Sequence, residues 1–165
     1  MKILMLMRHA KSSWSDEYRE DFDRPLNKRG LRDAPRMGDL LAQQVLTPDR
    51  IVSSSARRAA DTAAAVAAAC GYEGDLELTR ELYLAAPETY LEIAAQQHDN
   101  VQRLLMIGHN PGISTLIQEL SDQPLEMPTA ALAQFELDIN SWSEVRRSTE
   151  TQLREYWRPA DLEDR

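Results

Sequence analysis

Apolar residues in this chain gather in short runs set between stretches of helical spacing. Ile3-Leu4-Met5-Leu6-Met7 is continuous rather than alternating, the pattern of a strand covered on both faces. It stops at Arg8-His9. Leu104-Leu105-Met106-Ile107 repeats the pattern and also ends in polar residues, Gly108-His109-Asn110. Ile51-Val52 predicts a brief strand after the turn Thr47-Pro48-Asp49, and Leu76 to Leu78 predicts another. Residues 131–137 and 151–157 predict two later strands, with Phe135, Leu137 and Leu153 facing inward.

Helical patterns fill the intervals. Ala56 to Ala69 is rich in the strongest helix former and is closed by Gly71 at the usual capping position. Asn27 is an N-cap for a helix running to Gln44 with Leu31, Met37, Leu40 and Leu41 as its stripe, and Pro35 predicts a kink or a late start. Residues 87–97 predict a helix that turns Tyr90, Leu91 and Ile93 inward, and Pro111 suits the first turn of a helix over 112–120. Ser15 to Arg24 is so charged that it reads as an exposed loop or lid, and Asn140 to Arg147 as a polar hairpin connection. Strands and helices alternate, which implies an α/β fold of three layers with a largely parallel central sheet flanked by helices. With no repeat or Gly/Ser-rich linker, residues 1–165 are expected to form a single domain.

Composition narrows the function. No apolar stretch approaches the roughly 18 residues of a membrane helix, and the opening run is too short for a secretory h-region of about 7–15 residues. A cytoplasmic protein is expected. The single Cys70 cannot form an internal disulfide, and three histidines make a Cys/His metal cluster a poor expectation. The net charge of −8 argues against nonspecific binding to nucleic acid or to anionic membranes. That average hides an asymmetry, since residues 1–60 carry a net +4 and residues 61–165 a net −12. Sixteen of the 19 basic residues are Arg, which reflects either a compositional preference or a use of its fork against phosphate and carboxylate oxygens.

Spacing excludes several sites. No two glycines lie two apart, so the chain has neither a dinucleotide fingerprint nor a Walker A loop. Cys70 lacks an Arg six residues later, and Asp21-Phe22-Asp23 does not follow an apolar strand as an aspartyl-phosphate motif would. What remains is a pair of histidines, His9 and His109, each just beyond a buried run, so that a parallel sheet would bring them to one edge. Either alone could be structural, and His98 reads as solvated surface. Arg57 and Arg58 fall in the first turn of the Ala-rich helix, where a cation faces the positive dipole end at a cost of about 0.3–1 kcal/mol. A bound anion would reverse that cost, while the plainer alternative is that both side chains reach solvent.

These residues also match a family. Leu6-Met7-Arg8-His9-Ala10-Lys11-Ser12-Ser13-Trp14 resembles the signature of the histidine phosphatase superfamily, which has the phosphoglycerate-mutase-like fold. Ser54-Ser55-Ala56-Arg57-Arg58-Ala59-Ala60-Asp61-Thr62 resembles its second motif and Ile107-Gly108-His109-Asn110-Pro111-Gly112 its third. Arg24 to Gly30 and Trp157 to Leu162 extend the likeness, and the short Arg-His-Ala-Lys-Ser arrangement is most similar to SixA-type phosphohistidine phosphatases. The resemblance implies that His9 is the nucleophile, forming a phosphohistidine intermediate, and that Arg8, Arg58 and His109 clamp the phosphoryl oxygens. Arg58 is selected over Arg57 because it precedes Thr62 by four, as in the family.

The resemblance also implies roles for three further residues. Glu81 lies where larger members keep an acid. Ser15 stands where the family often has Asn, and Asn110 is a further substrate-binding candidate. Ala10 replaces the usual Gly and narrows the entrance slightly. The implied reaction needs no metal or other cofactor and yields inorganic phosphate. Its partner would be a phosphohistidine protein or a small phosphorylated molecule, with no nucleic acid and no membrane. A small-phosphomonoester phosphatase and a noncatalytic phospho-ligand module are the alternatives.

Overall fold

The computed structural model describes residues 1–17 and 19–162. In chain order it comprises β1 (Lys2–Arg8), α1 (Lys28–Gln43), β2 (Arg50–Ser54), α2 (Arg57–Cys70), β3 (Leu76–Thr79), α3 (Pro87–Ala95), β4 (Arg103–Gly108), α4 (Gly112–Ser121), β5 (Leu132–Leu137) and β6 (Thr151–Trp157). The strands form one sheet in the order β3-β2-β4-β1-β5-β6. The first four run parallel, and β5 and β6 pair antiparallel.

The apolar runs owe their continuity to burial on both faces. Leu4, Leu6, Leu104 and Met106 pack on one side with residues of α3 and α4, whereas Met5, Met7, Leu105 and Ile107 pack on the other with α1 and α2. This places helices on both faces of a mixed sheet, as the alternation of elements implies.

Three local expectations are corrected. α1 begins directly after its cap, Asn27, whose side chain accepts the Gly30 amide, and it runs through Pro35 without a break. Leu31 lies outside the buried stripe and is exposed, the inward positions being taken by Asp33, Ala34, Met37, Gly38, Leu40 and Leu41. The connection at 140–147 is not simply polar. Ser141 and Glu144 form a capping box around a 3-10 turn, and this drives Trp142 fully into the core, where its indole donates to the Val101 carbonyl at 2.7 Å.

Two glycines bring backbone close to what surrounds the polar strand ends. A Cβ on Gly30 would lie 2.2 Å from the Lys11 carbonyl, so glycine lets the start of α1 press on the segment after His9. A Cβ on Gly108 would lie 2.0 Å from the Tyr90 hydroxyl, which accepts the His109 amide at 3.1 Å. Gly108→Ala is therefore expected to cost about 2–3 kcal/mol through overpacking at a buried hydroxyl, measured by denaturant unfolding. An unchanged midpoint would mean that Tyr90 yields freely.

Candidate active site

The parallel pairing of β1 with β4 puts Arg8 opposite Gly108, so the next residue of each strand is a histidine at the same sheet edge. The His9 amide donates to the Gly108 carbonyl at 3.0 Å, and the two imidazole centroids are 5.1 Å apart. β2 ends beside them at Ser54, whose Oγ shares a 2.8 Å hydrogen bond with His109 Nε2. Ser54 Oγ also accepts the Ala56 amide at the entry to α2. Three parallel strand ends thus meet at one point.

His9 is held in a single tautomer. Its Nδ1 donates to the carbonyl of Ala10 at 2.7 Å, which leaves Nε2 with a lone pair, and that lone pair accepts from Arg58 Nε at 3.3 Å. Thr62, one turn along α2 from Arg58, donates to the Arg58 carbonyl at 2.7 Å and accepts the Ala10 amide at 3.0 Å. One hydroxyl therefore ties the α2 start to the backbone beside His9.

Arg58 is buried and Arg57 is not. Arg58 points into the site, while Arg57 turns outward toward Asp61 at 3.7 Å. The anion that the two arginines at the α2 start call for is partly supplied from within the chain. Asp21 receives Arg58 on its carbonyl at 2.7 Å and on Oδ2 at 3.1 Å, Arg24 Nε on Oδ1 at 3.0 Å, and the Tyr83 hydroxyl on Oδ2. Burial alone would raise its carboxyl, but the Tyr83 hydrogen bond and the charge of Arg58 hold it at about 2.

The segment 15–24 is therefore only partly an exposed loop. Among its described residues Arg24 is buried and Asp21 bonds Arg58 over the site, which departs from the exposed-loop alternative and not from the lid. Asp21, Ser54, Thr62 and Tyr83 escape sequence reasoning as site residues. Ser54 and Thr62 carry a usable signal, since both stand in the second motif and Ser54 ends a strand expected to share the edge with His9 and His109.

Arg8, His9, Arg58, His109 and Asn110 line one pocket of about 150 Å³, together with Lys11, Ser12, Trp14, Arg24, Leu84 and Thr129. Arg8 donates to the Met127 carbonyl at 3.1 Å, and Asn110 donates to the same carbonyl while accepting from Ser114 Oγ at 2.6 Å. Two of the candidates lie elsewhere. Ser15 is exposed and shares a hydrogen bond with Ser13 Oγ beside a separate small hollow, and Glu81 is exposed on a 3-10 turn at 80–82. Among the described residues, no group of three or more His, Cys, Asp or Glu is placed to hold a metal ion. No helix among them is long and apolar enough to cross a membrane.

The pocket is rich in donors and short of acceptors. Arg8 Nε and His109 Nδ1 are buried with no hydrogen-bond partner among the described residues. Burial and the charge of Arg58 both lower the pKa of Arg8. Burial pushes the His9 imidazole down to about 3, with His109, Arg58 and Arg8 adding to the effect and the bond to Ala10 opposing it. Burial and Arg58 likewise bring His109 to about 4. Both rings are neutral near pH 7.

These shifts make stability depend on pH. Both folded values lie below the ordinary 6.5, so on acidification the unfolded chain takes up protons that the folded chain refuses. The stability is complete above about pH 6.5 and is lost as pH falls toward 4 and then 3. Between pH 6.5 and 5, where carboxylates scarcely titrate, unfolding free energy should fall on the order of 2 kcal/mol per pH unit, from two imidazoles. Denaturant titrations at fixed ionic strength would measure it, and a flat profile would place ordinary, solvated imidazoles at the site.

Comparison with known proteins agrees with the geometry. The family model for the histidine phosphatase superfamily (branch 1) matches residues 4–83. An uncharacterized protein of Mycobacterium tuberculosis is 39% identical over 110 residues, which are 67% of this chain and 66% of that protein, so the match spans about two thirds of the relative. A crystal structure assigned as phosphohistidine phosphatase SixA from Agrobacterium tumefaciens is 30% identical, covers 96% of this chain and 98% of its own, and superposes with a TM-score of 0.82. A protein histidine phosphatase SixA complexed with tungstate shares the fold at a TM-score of 0.83, with 23% identity over 98% of this chain and 99% of its own.

Proposed function

Because the chain belongs to the histidine phosphatase superfamily, in its SixA-type branch, and is by family a phosphatase, we propose that it hydrolyses phosphohistidine on proteins through a covalent intermediate at His9, without a metal ion. One observation carries this reading. A single pocket joins the residue carrying the His9 Nε2 lone pair to two buried nitrogens without a hydrogen-bond partner among the described residues, Arg8 Nε and His109 Nδ1. We assign the His109 proton to Nδ1, with the Ser54 hydroxyl then donating to Nε2 across their 2.8 Å contact. A phosphoryl group brings the missing oxygens to the nucleophile.

In the first step Arg58 Nε turns its hydrogen bond from His9 Nε2 to a phosphoryl oxygen, the freed Nε2 lone pair attacks phosphorus, and the P–N bond to the substrate imidazole breaks in line. Charge on the equatorial oxygens is met by Arg8, Arg58 and His109, which are positioned before substrate arrives. The leaving nitrogen takes its proton from solvent. The exposure of Glu81 and its place outside the pocket lining support this route, and a departing imidazole needs little acid assistance. Water then attacks the phosphorus on His9, and inorganic phosphate leaves. The low pKa of His9 keeps the nucleophile unprotonated throughout the neutral range.

A protein-borne substrate is favoured by what adjoins the pocket. At about 150 Å³ the pocket is smaller than the roughly 300–1,000 Å³ of a typical small-molecule site. It shares Arg8 and Asn110 with an open groove of about 670 Å³ between α4, residues 126–128 and the end of β6. A phosphoryl group fits the first space and the chain that carries it extends along the second. In excess chelator, a phosphohistidine protein should be turned over at least about tenfold more efficiently than any of a panel of sugar and nucleotide monophosphates, a margin of about 1.4 kcal/mol. A preference for the panel would transfer the site to small phosphomonoesters.

A further inference from the structure

We propose that Trp14 and Leu84 form an apolar jaw at the pocket mouth that selects a flat ring as the leaving group, an inference that rests on the phosphohistidine reading. Among the described residues only six large apolar side chains are exposed, and two of them, Trp14 at 71% and Leu84 at 55%, line the pocket that holds His9. The lining of this pocket is otherwise cationic, from Arg8, Lys11, Arg24 and Arg58, and matches the phosphoryl end of a substrate. The rim matches what the phosphoryl group is attached to. An imidazole offers two apolar faces and a polar edge, which suits a rim that presents an exposed indole and an exposed leucine.

One rim residue sits in a strained backbone conformation and the other on a prepared support. Leu84 has φ of +51°, a left-handed conformation that favours glycine, and its exposure means that core packing does not fix it there. Trp14 is fastened as a platform. The guanidinium of Arg24 stacks 3.4 Å from its ring centroid, and Arg24 is itself buried and bonded to Asp21, to Ser12 Oγ at 2.7 Å and to the Ser13 carbonyl. A stacking surface prepared in advance orders no side chain when a ring arrives.

The test compares two P–N substrates that differ in the ring, N-phosphoimidazole and phosphoramidate, as the ratio of their kcat/KM values. Taking the ratio for each variant against wild type cancels their intrinsic reactivities. Trp14→Ala should lower the ratio about tenfold, chiefly through the KM of the ring substrate, and Trp14→Phe should restore most of it. Leu84→Gly should lower it about threefold while raising thermal stability, because glycine accepts the left-handed backbone; a folding defect cannot then account for the change. If both variants leave the ratio unchanged, the jaw is overturned and Trp14 serves only to seat Arg24. If wild type hydrolyses monoesters but neither P–N compound, the phosphohistidine reading itself falls, and the ring preference with it.

Discussion

Replacing His9 by alanine should lower turnover of a phosphohistidine protein by about 10⁴-fold or more, because it removes the atom to which phosphorus bonds in the proposed mechanism. The rest of the pocket stays. Arg8, Arg58 and His109 still present donors, so His9→Ala should retain affinity for the phosphorylated protein while releasing no phosphate. A steady-state phosphate assay beside an equilibrium binding measurement separates the two effects. A protein that only bound a phosphorylated partner would keep its biological role in this variant, and near-normal turnover would remove His9 from the chemistry altogether.

The second large effect is expected at Arg58, where alanine should cost about 10³-fold in kcat, on the order of 4 kcal/mol of transition-state stabilisation. Three contacts explain why one side chain matters so much. Arg58 donates to His9 Nε2 and to both the carbonyl and the carboxylate of Asp21, so it aligns the nucleophile and fixes the segment that arches over it. Its loss should appear in kcat more than in KM, since charge on the phosphoryl oxygens grows toward the transition state. Arg58→Lys should recover little, because an ammonium cannot span partners that a planar fork reaches together. Full recovery by lysine would reduce Arg58 to a source of positive charge.

What could be read from the sequence follows from how far apart the interacting residues lie. The runs at 3–7 and 104–107 signal burial on both faces locally, and a parallel pairing then brings His9 and His109 together across 100 residues. The Ala-rich helix closed by Gly71 is equally local, and Gly71 does adopt the left-handed cap at φ +78°. Asp21 is different. Its partners, Arg58 and Tyr83, are 37 and 62 residues away, and nothing in the charged stretch around it marks one carboxylate as the one that turns inward. Leu31 and Trp142 fail in the same way from opposite sides. Leu31 is apolar at a position that helix packing leaves outside, and Trp142 sits in a polar segment whose capping box turns it into the core.

The family likeness selects Arg58 over Arg57, and burial separates the same two residues by their surroundings. Charge is reinterpreted in a similar way. The net −8 describes the chain as a whole, whereas the pocket lining gathers Arg8, Lys11, Arg24 and Arg58, of which Arg24 and Arg58 pair with Asp21. With a screening length of about 8 Å at physiological salt, the acidic remainder does not oppose an anion bound there.

The central claim is a phosphorus–nitrogen bond to one named atom, and trapping that bond tests it most directly. Enzyme mixed with a phosphohistidine protein, quenched in alkali during the first turnovers and digested without acid, should yield the peptide containing His9 with phosphate on its imidazole. Enzyme that is turning over substrate with His9 unmodified, or with the phosphate on any other residue, would contradict the account.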